Sequence, residues 1–140
     1  MNVYLDSSAQ IRLLTGDGPS LPGNDSWERA FSSGIARLET RRTLDRLRLT
    51  NSLPAEWFAN AMASLLELES GFTWLEVRPD VLARAAEPFG LVLSALDALH
   101  VTSAVIIRAS GVPDLVFATH DRQQAIGAMA FGFSVIGVEI

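Results

Sequence analysis

Two carboxylates stand at the ends of apolar segments. Asp6 follows the apolar residues 3–5, and Asp121 follows the apolar run 115–119 after one intervening histidine. In an open parallel sheet, ligands bind outside the carboxyl ends of the strands. If both runs are strands of such a sheet, the two carboxylates share one crevice.

Two further acids could join this pair. Asp97 lies three residues after Ser94, in the first turn of a predicted helix, and Glu39 lies in the middle of another. Four carboxylates in one pocket would repel each other strongly, because the chain contains no lysine to neutralise them. A divalent cation removes this repulsion. Oxygen ligands favour Mg²⁺ or Mn²⁺, which catalyse phosphoryl chemistry by activating water and neutralising charge on the phosphate.

Periodicity and capping signals predict strands that alternate with helices. The predicted strands are 3–5, 31–33, 72–77, 115–119 and 134–140. The predicted helices are 7–14, 34–49, 54–69, 80–88, 94–110 and 122–131, the first of them capped by Ser7 or Ser8. A loop rich in glycine and proline is expected at 16–26. This alternation is typical of an α/β fold with a mostly parallel sheet.

Length and composition favour one soluble globular domain. The chain has 140 residues, enough for a sizeable core, and we expect a single domain over 1–140. It has no cysteine, which excludes disulfides and thiolate zinc sites. No apolar run approaches the roughly 20 residues of a membrane helix, and Asp6 and Arg12 interrupt any signal-peptide core. The expected location is the cytoplasm, without a membrane partner.

The charge distribution narrows the function further. The net charge of −5 argues against a protein that coats nucleic acid through a global positive field. All 11 basic residues are arginine, so a phosphate-binding loop that needs lysine is absent, and so is the lysine of common receiver domains. Five arginines fall within 37–48, which permits a local basic face.

Five segments together carry a family resemblance. They are "YLDSSA", "ARLETRR", "ALDALHVTSA", "FATHD" and the glycine-punctuated "FGFSVIGV". In this order and spacing they resemble the acidic motifs of PIN-domain ribonucleases, most closely the VapC-type toxins of toxin–antitoxin pairs. The resemblance covers nearly the whole chain. It implies a three-layer α/β/α sandwich, a Mg²⁺- or Mn²⁺-dependent endoribonuclease, a homodimer, and inhibition by a small cognate antitoxin.

The resemblance also implies a role for individual residues. The acidic quartet corresponds to Asp6, Glu39, Asp97 and Asp121. Asp6 and Asp97 would hold the ion directly, while Asp121 and Glu39 would complete its shell and orient the attacking hydroxide. The hydroxyl positions that support such a site correspond to Ser7 or Ser8 and to Thr119. The arginines that could approach the RNA backbone are Arg41, Arg42 and Arg46.

Ordinary structural roles compete with these interpretations. Asp6 could be only a helix cap, and Asp97 only a first-turn acid. Glu39 could pair with Arg42 or Arg46 at helical spacing. The same arginines could form a solvated helix face. The histidines at 100 and 120 are weak metal candidates, because we expect the first to pack or bond locally and the second to point away from the site.

Two other function classes remain open. The chain could be a PIN-like module that binds RNA or a protein without cutting. It could also be a phosphatase of the haloacid dehalogenase class, which has an acid after its first strand. That class requires a second aspartate where this chain has Ser8, and a lysine that the chain lacks.

The predicted helix at 54–69 carries more apolar residues than one buried face needs. They are Trp57, Phe58, Met62, Leu65 and Leu66. We expect a second copy of the chain to cover part of this helix, against the alternative that all of it packs within the monomer.

Overall fold

The protein is described here by a computed structural model covering residues 1–18 and 20–140. Pro19, within the predicted loop at 16–26, lies outside the described residues. Five parallel strands form one sheet in the order β3-β2-β1-β4-β5. The strands are β1 Asn2–Leu5, β2 Arg29–Ser33, β3 Phe72–Leu75, β4 Val116–Ala118 and β5 Val135–Ile136.

Six α-helices connect or follow these strands, and a short 3₁₀ helix spans Asn24–Ser26. The α-helices are α1 Ser7–Thr15, α2 Ile35–Thr50, α3 Ala55–Ser70, α4 Pro79–Ala85, α5 Ala95–Ala109 and α6 Arg122–Ala130. None of the helices in the described part of the chain combines the length and the apolar character needed to cross a membrane.

Alternation along the central strand separates two cores. Tyr4 packs on one face of the sheet with Phe117 and α5, where Val101 is fully buried. Val3 and Leu5 point to the opposite face and pack against α1. Helices α4 and α6 contact α5 on the first side, whereas α2 and α3 contact α1 on the second. The predicted three-layer α/β/α architecture with a parallel sheet is therefore confirmed.

Several predicted boundaries were wrong, for identifiable reasons. Strand β2 begins at Arg29 rather than residue 31, because its first two residues pair with Asn2 and Val3 although one of them is exposed and charged. Helix α4 stops at Ala85 rather than residue 88, where the chain turns. The final strand is only Val135–Ile136, the two residues that pair with β4.

The predicted cap of the first helix was also wrong. Neither Ser7 nor Ser8 caps α1; the N-cap is Asp6, whose side chain accepts a hydrogen bond from the backbone N–H of Ala9. An aspartate is as good a cap as a serine, so local sequence alone does not decide between them. The helix extends to Thr15 and ends at Gly16, which adopts the left-handed conformation with φ of 76°.

The strand order places a crevice beside β1. The chain adds β2 and β3 on one side of β1 and then returns to add β4 and β5 on the other. The order therefore reverses between β1 and β4, and the carboxyl ends of strands at such a reversal form a ligand-binding crevice. Asp6 follows β1 at this place, and its N–H donates to the carbonyl of Ala118 at the end of β4.

Candidate functional site

Asp6 is a buried carboxylate held by neutral donors. Its side-chain Oδ1 accepts from the N–H of Ala9 at 2.9 Å and from the Ser8 hydroxyl at 2.7 Å. Its Oδ2 accepts from the Thr119 hydroxyl at 2.6 Å. The residue is only 2% exposed. The hydrogen bonds fix the orientation of the carboxylate, but they bring no positive charge to it.

Burial raises the pKa of Asp6, because a buried carboxylate loses its hydration. The nearby imidazole of His100 acts in the opposite direction, as do the bonds from Thr119, Ala9 and Ser8. The net direction is upward, so the environment disfavours the ionised form. A carboxylate in this situation gains from a cation placed beside it.

Two hydroxyls join the ends of β1 and β4. Thr119 donates to Asp6 and accepts from the N–H of Asp121 at 2.9 Å. Ser8 accepts from the N–H of His120 at 2.9 Å while it donates to Asp6. Of the hydroxyl residues singled out from the sequence, Ser8 and Thr119 therefore contact the acids. The Ser7 side chain has no described hydrogen bond within residues 1–18 and 20–140.

Asp121 and Asp97 are joined through Gln124. Asp121 caps α6 by accepting from the backbone N–H of Gln124 at 3.0 Å. The side-chain Nε2 of Gln124 donates to Asp97 Oδ1, also at 3.0 Å. Asp97 lies in the first turn of α5, where its N–H donates to the capping hydroxyl of Ser94. The end of β4 and the start of α5 thus meet through one glutamine, which sequence reasoning missed.

Glu39 reaches the same region from α2 by bonding to His100. The distance from Glu39 Oε1 to His100 Nε2 is 2.5 Å, and His100 Nδ1 lies 2.7 Å from the Tyr4 hydroxyl. Both His100 and Tyr4 are fully buried. His100 packs in the interior, as one of the two expectations had it, but its hydrogen bonds are to residues distant in sequence rather than local. The alternative that Glu39 pairs with an arginine on its own helix was wrong.

A sequence signal for His100 existed. It lies three residues after Asp97 on α5 and therefore on nearly the same helix face. A polar residue there, among the apolar residues of a buried helix, indicates a buried partner. The second histidine, His120, turns toward β5, where its Nδ1–H donates to the carbonyl of Gly137 at 2.5 Å.

Three of the four predicted acids are therefore linked by hydrogen bonds, whereas Glu39 is bonded to His100, and the acids do not form a ready-made metal cage. Hydrogen bonds connect Asp6 to Asp121 through Thr119, and Asp121 to Asp97 through Gln124. Within residues 1–18 and 20–140, no three His, Asp or Glu side chains stand close enough together to hold a metal ion. The donors available are carboxylate and hydroxyl oxygens, which suit Mg²⁺ or Mn²⁺.

The structure gives Arg41 a different role from the predicted RNA contact. Its guanidinium forms two hydrogen bonds, 2.8 and 2.9 Å long, with the carboxylate of Glu69 on α3. Glu69 is 8% exposed, so this pair ties α2 to α3. Arg42 contacts Asp45 on its own helix at 3.4 Å. Arg46 is exposed and has no described partner in the part of the chain that the structure covers.

Because Arg41 is paired with a buried carboxylate and Arg46 is exposed, we expect different effects on stability when each is replaced by methionine. Arg41→Met leaves the carboxylate of Glu69 buried without a partner, and we expect the free energy of unfolding to fall by about 1–3 kcal/mol. Arg46→Met changes an exposed side chain, and we expect a change within roughly 0.5 kcal/mol. Urea denaturation followed by circular dichroism measures both values. Equal losses in the two variants would contradict the assigned role of Arg41.

A second surface feature is a groove between α1, α2 and α3. It encloses about 610 Å³, and its apolar lining includes Leu14, Leu47, Leu53 and Trp57. Helix α3 buries only Leu65 and Glu69, and the other apolar residues on this helix are partly or largely exposed.

Comparisons with solved structures agree with this architecture. No protein-family model matches the sequence, and no curated protein is similar to it at a significant level. PAE2754 from Pyrobaculum aerophilum is 24% identical, with a TM-score of 0.63, and the match covers 96% of this chain and 89% of that one. VapBC2 from Rickettsia felis, solved bound to a DNA fragment from its promoter, is 12% identical, with a TM-score of 0.59. That match covers 96% of this chain and 97% of the other. The chain therefore has the PIN-like α/β fold that the sequence predicts.

Proposed function

We propose that this chain is a Mg²⁺- or Mn²⁺-dependent endoribonuclease and the toxin of a toxin–antitoxin pair, acting in the cytoplasm. One observation carries the proposal: the buried carboxylate of Asp6 stands where the strand order reverses and is joined by Thr119 to Asp121. Two further observations support the proposal. The chain shares its fold with VapBC2, and its sequence motifs resemble those of VapC-type toxins.

The donor set fits a hard divalent cation. Asp6 is ionisable, buried and bonded to neutral donors, so a cation would offset the burial that raises its pKa. Asp6, Asp97 and Asp121 would hold the ion, and their side chains would have to bring their oxygens closer together to do so. When bound, the cation supplies an activated water and neutralises charge on the phosphate.

The remaining steps belong to side chains whose contacts are described. Ser8 and Thr119 hold the Asp6 carboxylate in one orientation. His100 holds Glu39 through Oε1, which leaves Oε2 to accept a proton from an attacking water. The exposed Arg42 and Arg46 lie on the same helix as Glu39 and are the candidate contacts to the RNA backbone.

A cleavage assay separates this function from the alternatives. We expect the purified protein to cut structured RNA in Mn²⁺ or Mg²⁺ and to stop when EDTA is added, whereas Asp97→Asn should bind RNA without cutting it. RNA binding without cleavage at any metal concentration would favour the non-catalytic module. Turnover of small phosphomonoesters instead of RNA would favour the phosphatase.

An antitoxin is the expected protein partner. A cationic side chain of that partner, placed near the acids, could replace the charge of the metal and so block cleavage. The apolar groove between α1, α2 and α3 would provide contact area for it. Full ribonuclease activity in a purified complex of the two proteins would contradict this mode of inhibition.

We also propose that a second copy of the chain covers part of α3. Leu66 is 56% exposed, and Phe58 and Met62 are only partly buried, so this helix leaves apolar area uncovered in the monomer. Light scattering at micromolar concentration should give the mass of a dimer. A strict monomer would refute the proposal.

A further inference from the structure

Gln124 is a buried polar residue that stands between two of the acids. It is 3% exposed and lies in the first turn of α6. Its backbone N–H donates to Asp121 Oδ1, and its side-chain Nε2 donates to Asp97 Oδ1. The amide group of this side chain is thus in the acidic crevice rather than in an apolar core.

The other end of the same amide has no hydrogen-bond partner among the described residues. Gln124 Oε1 is buried and receives no hydrogen bond from any described residue. Rotating the amide by 180° would not give Oε1 a donor, because Oε1 would then face the carboxylate of Asp97, which is also an acceptor. The orientation is therefore fixed by Asp97, and it leaves a buried carbonyl oxygen without a described partner on the same amide group that contacts Asp97.

A bare acceptor in this place has a chemical explanation. Amide oxygens, like carboxylates, are ligands for hard divalent cations, and such cations also carry waters whose protons need acceptors. We propose that Gln124 is a further residue of the cation site: Oε1 binds the ion or one of its waters, while Nε2 positions Asp97. This inference rests on the proposed function, since it assumes that the acids bind a cation.

Mn²⁺ binding to the metal-free protein tests the proposal directly. Free Mn²⁺ can be counted by electron paramagnetic resonance during a titration, with no RNA and no turnover. Gln124→Met keeps the length of the side chain but removes both amide atoms, and we expect Mn²⁺ affinity to fall about 10- to 100-fold. Gln123→Met is the matched control, because the neighbouring glutamine is exposed and its amide contacts the carbonyl of Val92. Its Mn²⁺ affinity should equal that of the parent.

A second variant covers the case in which Gln124→Met does not fold. Gln124→Glu keeps the size and one oxygen but replaces the Nε2 donor to Asp97 with a charged oxygen, whose attraction for the cation should outweigh the lost hydrogen bond. We expect it to melt at a lower temperature than the parent in EDTA and to bind Mn²⁺ more tightly. Weaker Mn²⁺ binding by this variant than by the parent would overturn the inference.

The outcomes distinguish this inference from the function on which it rests. If the parent binds no Mn²⁺, the proposed metal-dependent function fails and the role of Gln124 fails with it. If the parent binds Mn²⁺ and Gln124→Met binds it equally well, only the inference fails. Gln124 would then be a structural link between α5 and α6.

Discussion

Replacing Asp6 by asparagine is expected to abolish RNA cleavage and yet leave the metal-free protein at least as stable as the parent. The stability follows from the burial of this carboxylate, because asparagine removes a buried charge and keeps the shape of the side chain. Asparagine also caps helices as well as aspartate, so the bond from Ala9 should persist. The hydroxyls of Ser8 and Thr119 can rotate to accept from the new amide.

The stability difference should depend on pH. The pKa of Asp6 is raised in the folded state, so the folded chain holds this proton more tightly than the unfolded chain does. Ionisation of Asp6 therefore removes stability as the pH rises above about 3.9, the ordinary value for aspartate, and through the raised value. In EDTA, urea denaturation should give Asp6→Asn a higher free energy of unfolding than the parent at neutral pH and an equal one at low pH.

In Mn²⁺ the parent should be more stable than Asp6→Asn. A ligand that binds only the folded state raises its melting temperature, so Mn²⁺ should stabilise the parent and affect Asp6→Asn weakly. Asp114→Asn is a suitable control, because this exposed residue precedes β4 at the end of the strand away from the site. Equal Mn²⁺ shifts in the parent and Asp6→Asn, with cleavage retained in the variant, would remove Asp6 from the site.

His100→Leu is expected to give a large loss of stability. The change leaves the buried hydroxyl of Tyr4 and the carboxylate of Glu39 without their shared partner. A buried polar group that loses its partner costs about 1–3 kcal/mol, and the partly exposed Glu39 should cost less than the fully buried Tyr4, so we expect a total loss of roughly 2–4 kcal/mol. The cleavage rate should also fall, because Glu39 is no longer held.

A double-mutant cycle with Tyr4→Phe assigns this loss to the hydrogen-bonded chain. Phenylalanine keeps the ring that stacks on Phe117, with centroids 5.1 Å apart, and removes only the hydroxyl. In the parent, Tyr4→Phe should cost stability, because His100 loses a partner. In the His100→Leu protein it should cost less or even stabilise, because the orphaned hydroxyl disappears. Urea denaturation of the four proteins gives the coupling energy, and a value near zero would contradict the hydrogen-bonded link between Tyr4 and His100.

The parts of the site that follow from strand ends could be predicted from the sequence. Apolar runs that stop at Asp6 and near Asp121 identify the carboxyl edge of a parallel sheet, and that edge is where the structure has both residues. The contacts of His100 and Gln124 could not be predicted in this way. Their partners, Glu39 and Asp97, lie 61 and 27 residues away along the chain, so no local sequence pattern indicates these contacts.

Ion pairs between residues distant in sequence could not be predicted either, as Arg41 shows. Five arginines close together in sequence suggest a basic face, but the carboxylate that neutralises one of them comes from α3, 28 residues later. Sequence periodicity indicates which residues share a helix face; it does not indicate which neighbouring helix that face meets. The boundary errors at β2 and α4 have a related origin, since strand pairing and chain turning decided them rather than hydrophobicity.

The hydroxyl link between β1 and β4 has a consequence for the order of folding. The bond between Thr119 and Asp6 joins residues separated by 113 positions, so its formation closes most of the chain into one loop. Contacts of such long sequence separation form slowly, because the entropy of loop closure must be overcome first. A ribosome-bound chain that ends before residue 119 contains Asp6 but neither Thr119 nor Asp121. The acidic crevice therefore cannot form before residues 119–121 have been synthesised, and it is assembled only when β1 and β4 have met.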